Sequence, residues 1–352
     1  MQTILITGGT GYIGSHTCLN LIEKNFRVII IDSLINSSFK SIISIKKILK
    51  DKYPDIDKRL FFFEGDIRNE SFLKSIFNKF TTTDSKIESV IHFAGLKSVS
   101  ESVSNPLSYW EVNVYGSITL FKVMDFFNCN EIVFSSSANV YDPSYKGKLD
   151  ENAPLKPINP YGQSKLTIEK ILKNMHSSNV SKWKIAILRY FNPIGAHFSG
   201  ELGENPVKKP SNLFPLLTEV GFNELDLLRI YGKDWPTRDG TGIRDFLHIM
   251  DLSEAHTAAL YYIKENKPNI NIFNIGTGKG TTVLELIKIF EKVNNCSINY
   301  KFSPRRDGDI SQSIADISKA LFYLNWKPLL SIENACKDSW RWIAKNPKGY
   351  IK

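Results

Sequence analysis

The amino-acid sequence predicts an α/β protein: a doubly wound parallel sheet followed by a second, smaller α/β lobe. Three observations lead there. Short β-branched runs alternate with helix-length segments through the first half, those runs are apolar on both faces, and a glycine-rich turn follows the first of them. Alternation of this kind implies βαβ units joined by right-handed crossovers.

The strands are read from Thr3 to Thr7, Arg27 to Asp32, Leu60 to Glu64, Val90 to Phe93, Glu131 to Ser135 and Lys184 to Arg189. Val28-Ile29-Ile30-Ile31 has the unbroken apolarity that a strand covered on both faces requires. Ser41 to Lys52, rich in Lys and Ile, reads as a helix, as do the amphipathic segments Leu252 to Tyr262, Val283 to Val293 and Ile332 to Ala344, which are assigned to the smaller lobe. After Asn192-Pro193 the texture turns to a Gly-, Pro- and Asn-rich stretch, Gly200 to Asn212. The boundary is placed there, giving a first domain over residues 1–191 and a second over 192–352, with some later segments returning to the first. The length of 352 residues suits two lobes.

Composition narrows the function classes. Hydrophobic residues at 42% and charged residues at 23% belong to an ordinary soluble globular protein. The net charge of +9, from 45 basic and 36 acidic residues, raises the question of a nucleic-acid partner. The lysines are scattered, without a dense basic run, so a solvated surface with a few cations facing a diphosphate is expected instead. Cys18, Cys129, Cys296 and Cys336 are far apart, and the six histidines form no ligand cluster, so neither a disulfide framework nor a metal site is expected. Reduced thiols point to the cytoplasm. The first apolar run, Ile4 to Thr7, is too short for a leader, and no stretch approaches the roughly 18 apolar residues of a membrane span.

Thr7-Gly8-Gly9-Thr10-Gly11-Tyr12-Ile13-Gly14 follows the first strand and opens a helix, the setting in which a glycine fingerprint carries meaning. Glycines permit the tight turn and let backbone N–H groups approach a pyrophosphate. Asp32 ends the second strand 32 − 14 = 18 residues after the last glycine, where an acid accepts from the adenosine ribose hydroxyls and repels a 2′-phosphate. NAD is therefore the expected cofactor.

Tyr161 and Lys165, four apart in Pro160-Tyr161-Gly162-Gln163-Ser164-Lys165, share one face of a helix. A phenol titrates near pH 10, and a nearby ammonium and an oxidised nicotinamide would both favour the phenolate, making a base for an alcohol proton. The fifth strand runs into Ser135-Ser136-Ser137-Ala138-Asn139, at the carboxyl end of the sheet. Ser137 is read as the hydroxyl that shares a proton between Tyr161 and substrate, with Ser135 and Ser136 capping their own backbone.

Together with Glu64-Gly65-Asp66-Ile67-Arg68, Ile91-His92-Phe93-Ala94-Gly95-Leu96-Lys97, Arg189 to His197, Asp239 to Asp245 and Pro304 to Asp309, these motifs make the whole chain resemble the extended short-chain dehydrogenase/reductase family, and within it the UDP-hexose 4-epimerases. The resemblance implies that Asp66 and Ile67 hold the adenine, and that Tyr12, Ile13, Asn36, Ser37, Phe93, Ala94, Lys97 and Asn113 line the cofactor. Phe191 would pack near the nicotinamide. Asn192, Asn212, Leu213, Tyr231, Arg244, Arg306 and Asp309 would hold the UDP-sugar, the arginines binding the diphosphate in forks. The implied reaction interconverts UDP-galactose and UDP-glucose through a 4-keto sugar with NAD staying bound, in a homodimer. Ser313 stands where relatives restricted to the smaller sugars carry a bulky tyrosine, so the N-acetylated pair is expected to be accepted too.

The chain departs from the family pattern at Asn139, where Thr is usual, at Asp142, where Gly is usual, and at Ser33, where Asn is usual. The same fold also serves UDP-glucuronate epimerases, decarboxylases and dehydratases, but a dehydratase needs an acid and a base beside the strand-five hydroxyl, where this chain has Ala138 and Asn139. A non-catalytic dinucleotide sensor would not need Tyr161, Lys165 and Ser137.

Overall fold

Ile4, Leu5 and Ile6 have no exposed surface, because successive side chains of a strand point to opposite faces and both faces of this one are covered. A computed structural model describes residues 1–350 except 83, 84, 207–209, 211 and 307. In chain order the first part runs β1 (Thr3–Thr7), α1 (Tyr12–Glu23), β2 (Arg27–Asp32), α2 (Lys40–Leu49), β3 (Leu60–Glu64), α3 (Glu70–Lys79) and β4 (Ile87–His92). Then come α4 (Val99–Ser104), α5 (Pro106–Tyr109), a π-helical turn (Trp110–Tyr115), α6 (Gly116–Phe126), β5 (Glu131–Ser137), α7 (Pro160–Ser178) and β6 (Lys184–Tyr190). The second part holds β7 (Asn192–Ile194), α8 (Leu213–Gly221), β8 (Leu228–Tyr231), β9 (Ile243–Arg244), β10 (Phe246–His248), α9 (Ile249–Glu265) and β11 (Asn269–Ile275). It ends with β12 (Thr281–Thr282), α10 (Val283–Asn294), β13 (Tyr300–Ser303), β14 (Gln312–Ser313), α11 (Ser318–Tyr323) and α12 (Ile332–Lys345).

The main sheet is parallel, in the order β11-β6-β5-β4-β1-β2-β3. The direction of winding reverses between β1 and β4, and ligands bind beyond the carboxyl ends of the strands at such a switch point. Ile4, Ile6, Val28 and Ile30 face one core with Leu19, Ile45 and Leu260, while Leu5, Ile29 and Ile31 face the other with Leu73, Leu120 and Leu172. Burying each such side chain contributes about 1.5–3 kcal/mol. A separate core of Phe214, Leu217, Ile230, Leu286, Phe290 and Cys336 lies under α8, α10 and α12.

Two expectations change. The segment Leu252 to Tyr262, assigned to the smaller lobe, is part of α9, which covers the main sheet beside α1 and is tied to it by Thr257 Oγ1 donating to Asn20 Oδ1 at 2.6 Å. Helical periodicity shows that a face is buried but not against what. The strand read from Val90 begins at Ile87, since Ser89 donates to Glu131 Oε2 at 2.6 Å and is fully buried despite its polarity. Among the described residues no helix is long and apolar enough to cross a membrane.

Candidate active site

The turn after β1 is shaped by close approach. Gly8 has φ +71°, and a Cβ there would lie 2.7 Å from the Ala94 nitrogen; one on Gly14 would lie 2.3 Å from the Gly8 oxygen. The helix α1 starts at Gly11 with no side-chain cap and no acid in its first turn, so its leading N–H groups and positive dipole end remain for an anion. Beside them the Asp32 carboxylate is buried, accepting from Thr10 N at 3.1 Å on Oδ2, and from Leu34 N at 3.0 Å and Ser37 Oγ at 2.9 Å on Oδ1. A carboxylate has about four acceptor positions, so one remains on Oδ2.

Gly8, Gly11, Tyr12, Ile13, Gly14, Asp32, Asn36, Ser37, Asp66, Ile67, Phe93, Ala94, Lys97, Tyr161 and Lys165 line one cavity. A helix N-terminus for a pyrophosphate, a buried acid for a ribose and apolar walls for the rings fit a dinucleotide. Two residues expected there do not line this cavity. Asn113 is buried behind the wall, accepting from Leu96 N at 2.7 Å and donating to Leu96 O at 3.1 Å, so it holds the loop that forms the wall. Phe191 lies in the neighbouring cavity. The Asp66 carboxylate is committed to Arg68, whose hydrogen bonds hold it below the usual carboxylate range. Lys97 pairs with Glu204 at 3.1 Å.

The helix α7 begins at Asn159, whose Oδ1 accepts from Gly162 N at 2.8 Å, with Pro160 pre-set for the first turn. Tyr161 and Lys165 are both buried. The Lys165 ammonium donates to Ser135 O at 2.8 Å and lies 5.0 Å over the Phe134 ring; burial lowers its pKa to about 8, opposed by Glu169. The expected low-pKa phenol is not produced by the chain's own residues. Burial and then Tyr190 push the Tyr161 pKa above its ordinary value, and the Ser137 hydroxyl pulls against them. Positive charge from an oxidised nicotinamide would act against that burial and favour the phenolate. Ser135 and Ser136 do not cap their own backbone: Ser136 donates to Glu169 Oε1 at 2.6 Å, and Ser135 Oγ meets His256 Nε2 at 3.2 Å. Glu169 in turn takes a two-pronged contact from the fully buried Arg189, at 2.9 and 2.6 Å.

A second cavity is lined by Ser137, Phe191, Asn192, Arg244, Arg306, Asp309 and Ser313. Arg244 pairs with Asp309 and donates to Ile310 O at 3.0 Å, while the Arg306 guanidinium sits 3.7 Å from the Tyr231 ring centre. Ser313 is brought beside Arg244 by the β9–β14 pairing, which Asp245 fastens by accepting from Thr277 N, Gly278 N and Ala315 N. Tyr161 belongs to the first cavity, and Tyr231 lies under Arg306, outside the lining of the second. Asn212 and Leu213 open α8 and do not line either cavity. Asp307, within the quoted arginine motif, lies outside the described residues.

A sequence-family model described as GDP-mannose 4,6 dehydratase matches residues 5–339. The UDP-glucose 4-epimerase of Bacillus subtilis (strain 168) is 43% identical over 349 residues, covering 99% of each chain. The chain belongs to the UDP-glucose 4-epimerase family. Among solved structures, the family's Bifidobacterium longum enzyme in complex with NAD+ and UDP superposes with TM-score 0.91 at 41% identity, covering 99% of this chain and 100% of that one. The UDP-Glc/GlcNAc 4-epimerase of Campylobacter jejuni superposes with TM-score 0.81 at 36% identity, covering 98% of this chain and 100% of that one.

Against the family pattern, Asp142 builds a turn, its Oδ1 accepting from Ser144 N at 2.8 Å and Oγ at 2.7 Å. Asn139 hydrogen-bonds Ser137 at 3.1 Å through its amide. Nothing in the structure explains Ser33. Residues missed in the sequence are Tyr190, which lines both cavities, and Glu204, Asn205 and Tyr350 on the rim of the first. Tyr190 had a signal, since it ends a strand beside Ser137 and precedes Phe191. The others had none.

Proposed function

We propose that this chain interconverts UDP-galactose and UDP-glucose by inverting C4′ of the hexose, with NAD in the first cavity and the UDP-sugar in the second. The observation that carries this reading is the junction of the two: Tyr161 on the cofactor side and Ser137 on the sugar side, with Tyr190 as the wall common to both. NAD, when bound, supplies a reversible two-electron acceptor beside C4′. Tyr161 takes and returns the 4′-hydroxyl proton, Ser137 donates a hydrogen bond to that exchange, and Lys165, anchored on Ser135, holds the positive charge near the phenol. Arg306, Arg244 and Asn192 grip the nucleotide end, and the flat 4-keto sugar turns over in the space beside Ser313. Residues up to 191, with α9 and β11, serve the cofactor; the rest of 192–352 serves the sugar nucleotide.

The small side chain at Ser313 supports turnover of the N-acetylated pair as well, and the likeness to the Campylobacter jejuni enzyme supports the same extension. Dehydration is disfavoured because Ala138 and Asn139, next to Ser137, do not titrate. The chain acts as a cytoplasmic homodimer: its four cysteines carry free thiols, and Val103, Leu107, Trp110 and Tyr115 expose an apolar face along α4, α5 and the π-helical turn. The deciding experiment is product analysis after incubation with UDP-galactose, UDP-N-acetylgalactosamine and UDP-glucuronate in parallel. Conversion of the first two to their 4-epimers is expected; turnover of UDP-glucuronate alone, or of none, overturns the reading.

A further inference from the structure

We propose that Asn139 is a positioning residue that turns the Ser137 hydroxyl into a one-way donor toward Tyr161. The proposal rests on the epimerase reading above. Ser137 Oγ, buried at the end of β5, accepts from the Asn139 backbone N–H at 3.2 Å and from Asn139 Nδ2 at 3.1 Å. A hydroxyl has two acceptor positions and one proton. Both acceptor positions are filled by Asn139, so the Ser137 proton is left to donate, and the Tyr161 phenol, one residue before the Gly162 that packs against the Asn139 carbonyl, stands across the junction of the two cavities to take it. A hydrogen bond given to a phenolate is charge-assisted and favours the ionised form, which is the form a base needs.

Asn139 is closely packed. It sits in the 3₁₀ turn Ala138–Val140, where its carbonyl oxygen would be 2.4 Å from a Cβ on Gly162, the residue after Tyr161. The turn and the start of α7 therefore pack closely against each other. A hydroxyl side chain at 139 could rotate its proton and accept from Ser137; the amide nitrogen in this contact only donates. The other titratable or charged groups around the phenol are Tyr190 from β6, Tyr109 from α5 with Glu101 of α4 behind it, and Lys165 from the next turn of α7. Tyr109 gives its own proton to Ser98 O at 2.6 Å, and Lys165 gives one to Ser135 O.

The test is the pH profile of kcat/KM for UDP-galactose with NAD-loaded protein, comparing unmodified enzyme, Asn139→Ala and the near-isosteric Asn139→Asp, whose side chain offers Ser137 only acceptors while the backbone N–H stays. Both variants should move the acid limb upward by about one pH unit, costing roughly tenfold at pH values below the limb and little above it. KM and NAD content should stay unchanged. In a Ser137→Ala background, Asn139→Ala should add no further loss, because the effect runs through Ser137. Loss of the same size at every pH, or an undiminished effect in the Ser137→Ala background, overturns the proposal. Ultraviolet titration of the Tyr161 phenolate, taken as the difference from Tyr161→Phe, reads the same shift without turnover. Failure of unmodified protein to convert any UDP-sugar therefore sinks the parent reading, whereas a phenolate titration that Asn139→Ala leaves in place sinks this one.

Discussion

Lys165 hydrogen-bonds the carbonyl oxygen of Ser135 at 2.8 Å, which fixes its ammonium one helical turn beyond Tyr161. The lysine thus ties α7 to the end of β5, while burial raises the Tyr161 pKa above its ordinary value. Tyr161→Phe removes only the hydroxyl. Turnover should fall by about 10²- to 10⁴-fold or more with NAD still bound. Steady-state rates alongside cofactor absorbance check this, and a variant with unmodified turnover would exclude Tyr161 as the base.

Asp32 holds three donors of the chain and keeps one acceptor position toward the cavity. Heat-released cofactor from purified protein should be NAD and not NADP. Asp32→Ala should loosen NAD by roughly 10- to 100-fold, the loss of a charged hydrogen-bond partner being worth about 1.5–3 kcal/mol. Chromatography of the released nucleotide and its dissociation constant decide both points.

Ser313 lies beside Arg244 in the second cavity. Ser313→Tyr would crowd the space in which a 2′-acetamido group must turn, so UDP-N-acetylgalactosamine turnover should be lost while UDP-galactose turnover persists, since steric exclusion discriminates more strongly than one lost contact. Unmodified protein that leaves UDP-N-acetylgalactosamine unchanged while converting UDP-galactose would refute this.

Four histidines give the fold a pH dependence. Burial lowers the pKa of His16 and His92 to about 3, and of His197 and His256 to about 4. Each is neutral when folded but takes a proton in the unfolded chain below about pH 6.5. Their contribution to stability is complete above that pH and is lost as pH falls toward 4, by about 1.4 kcal/mol per pH unit for each histidine. Urea midpoints should drop between pH 7 and pH 5.5. Equal midpoints at the two pH values would mean that these rings are not held neutral.

What the sequence determined by itself was local. The glycine spacing from Gly8 to Gly14, Asp32 at the end of its strand, the four-residue step from Tyr161 to Lys165 and the apolar runs of β1 to β6 are readable because each depends on backbone conformation or side-chain period within a few residues. Tertiary structure decided what lies against what. It brought β11 to β6, 85 residues after its own pairing partner, and set α9 against α1. It placed Asn113 behind the cavity wall, paired Arg244 with Asp309, and made Tyr190 the wall between two cavities. Those outcomes follow from which buried donors and acceptors the folded path brings within hydrogen-bond reach, and a linear pattern carries no measure of that distance.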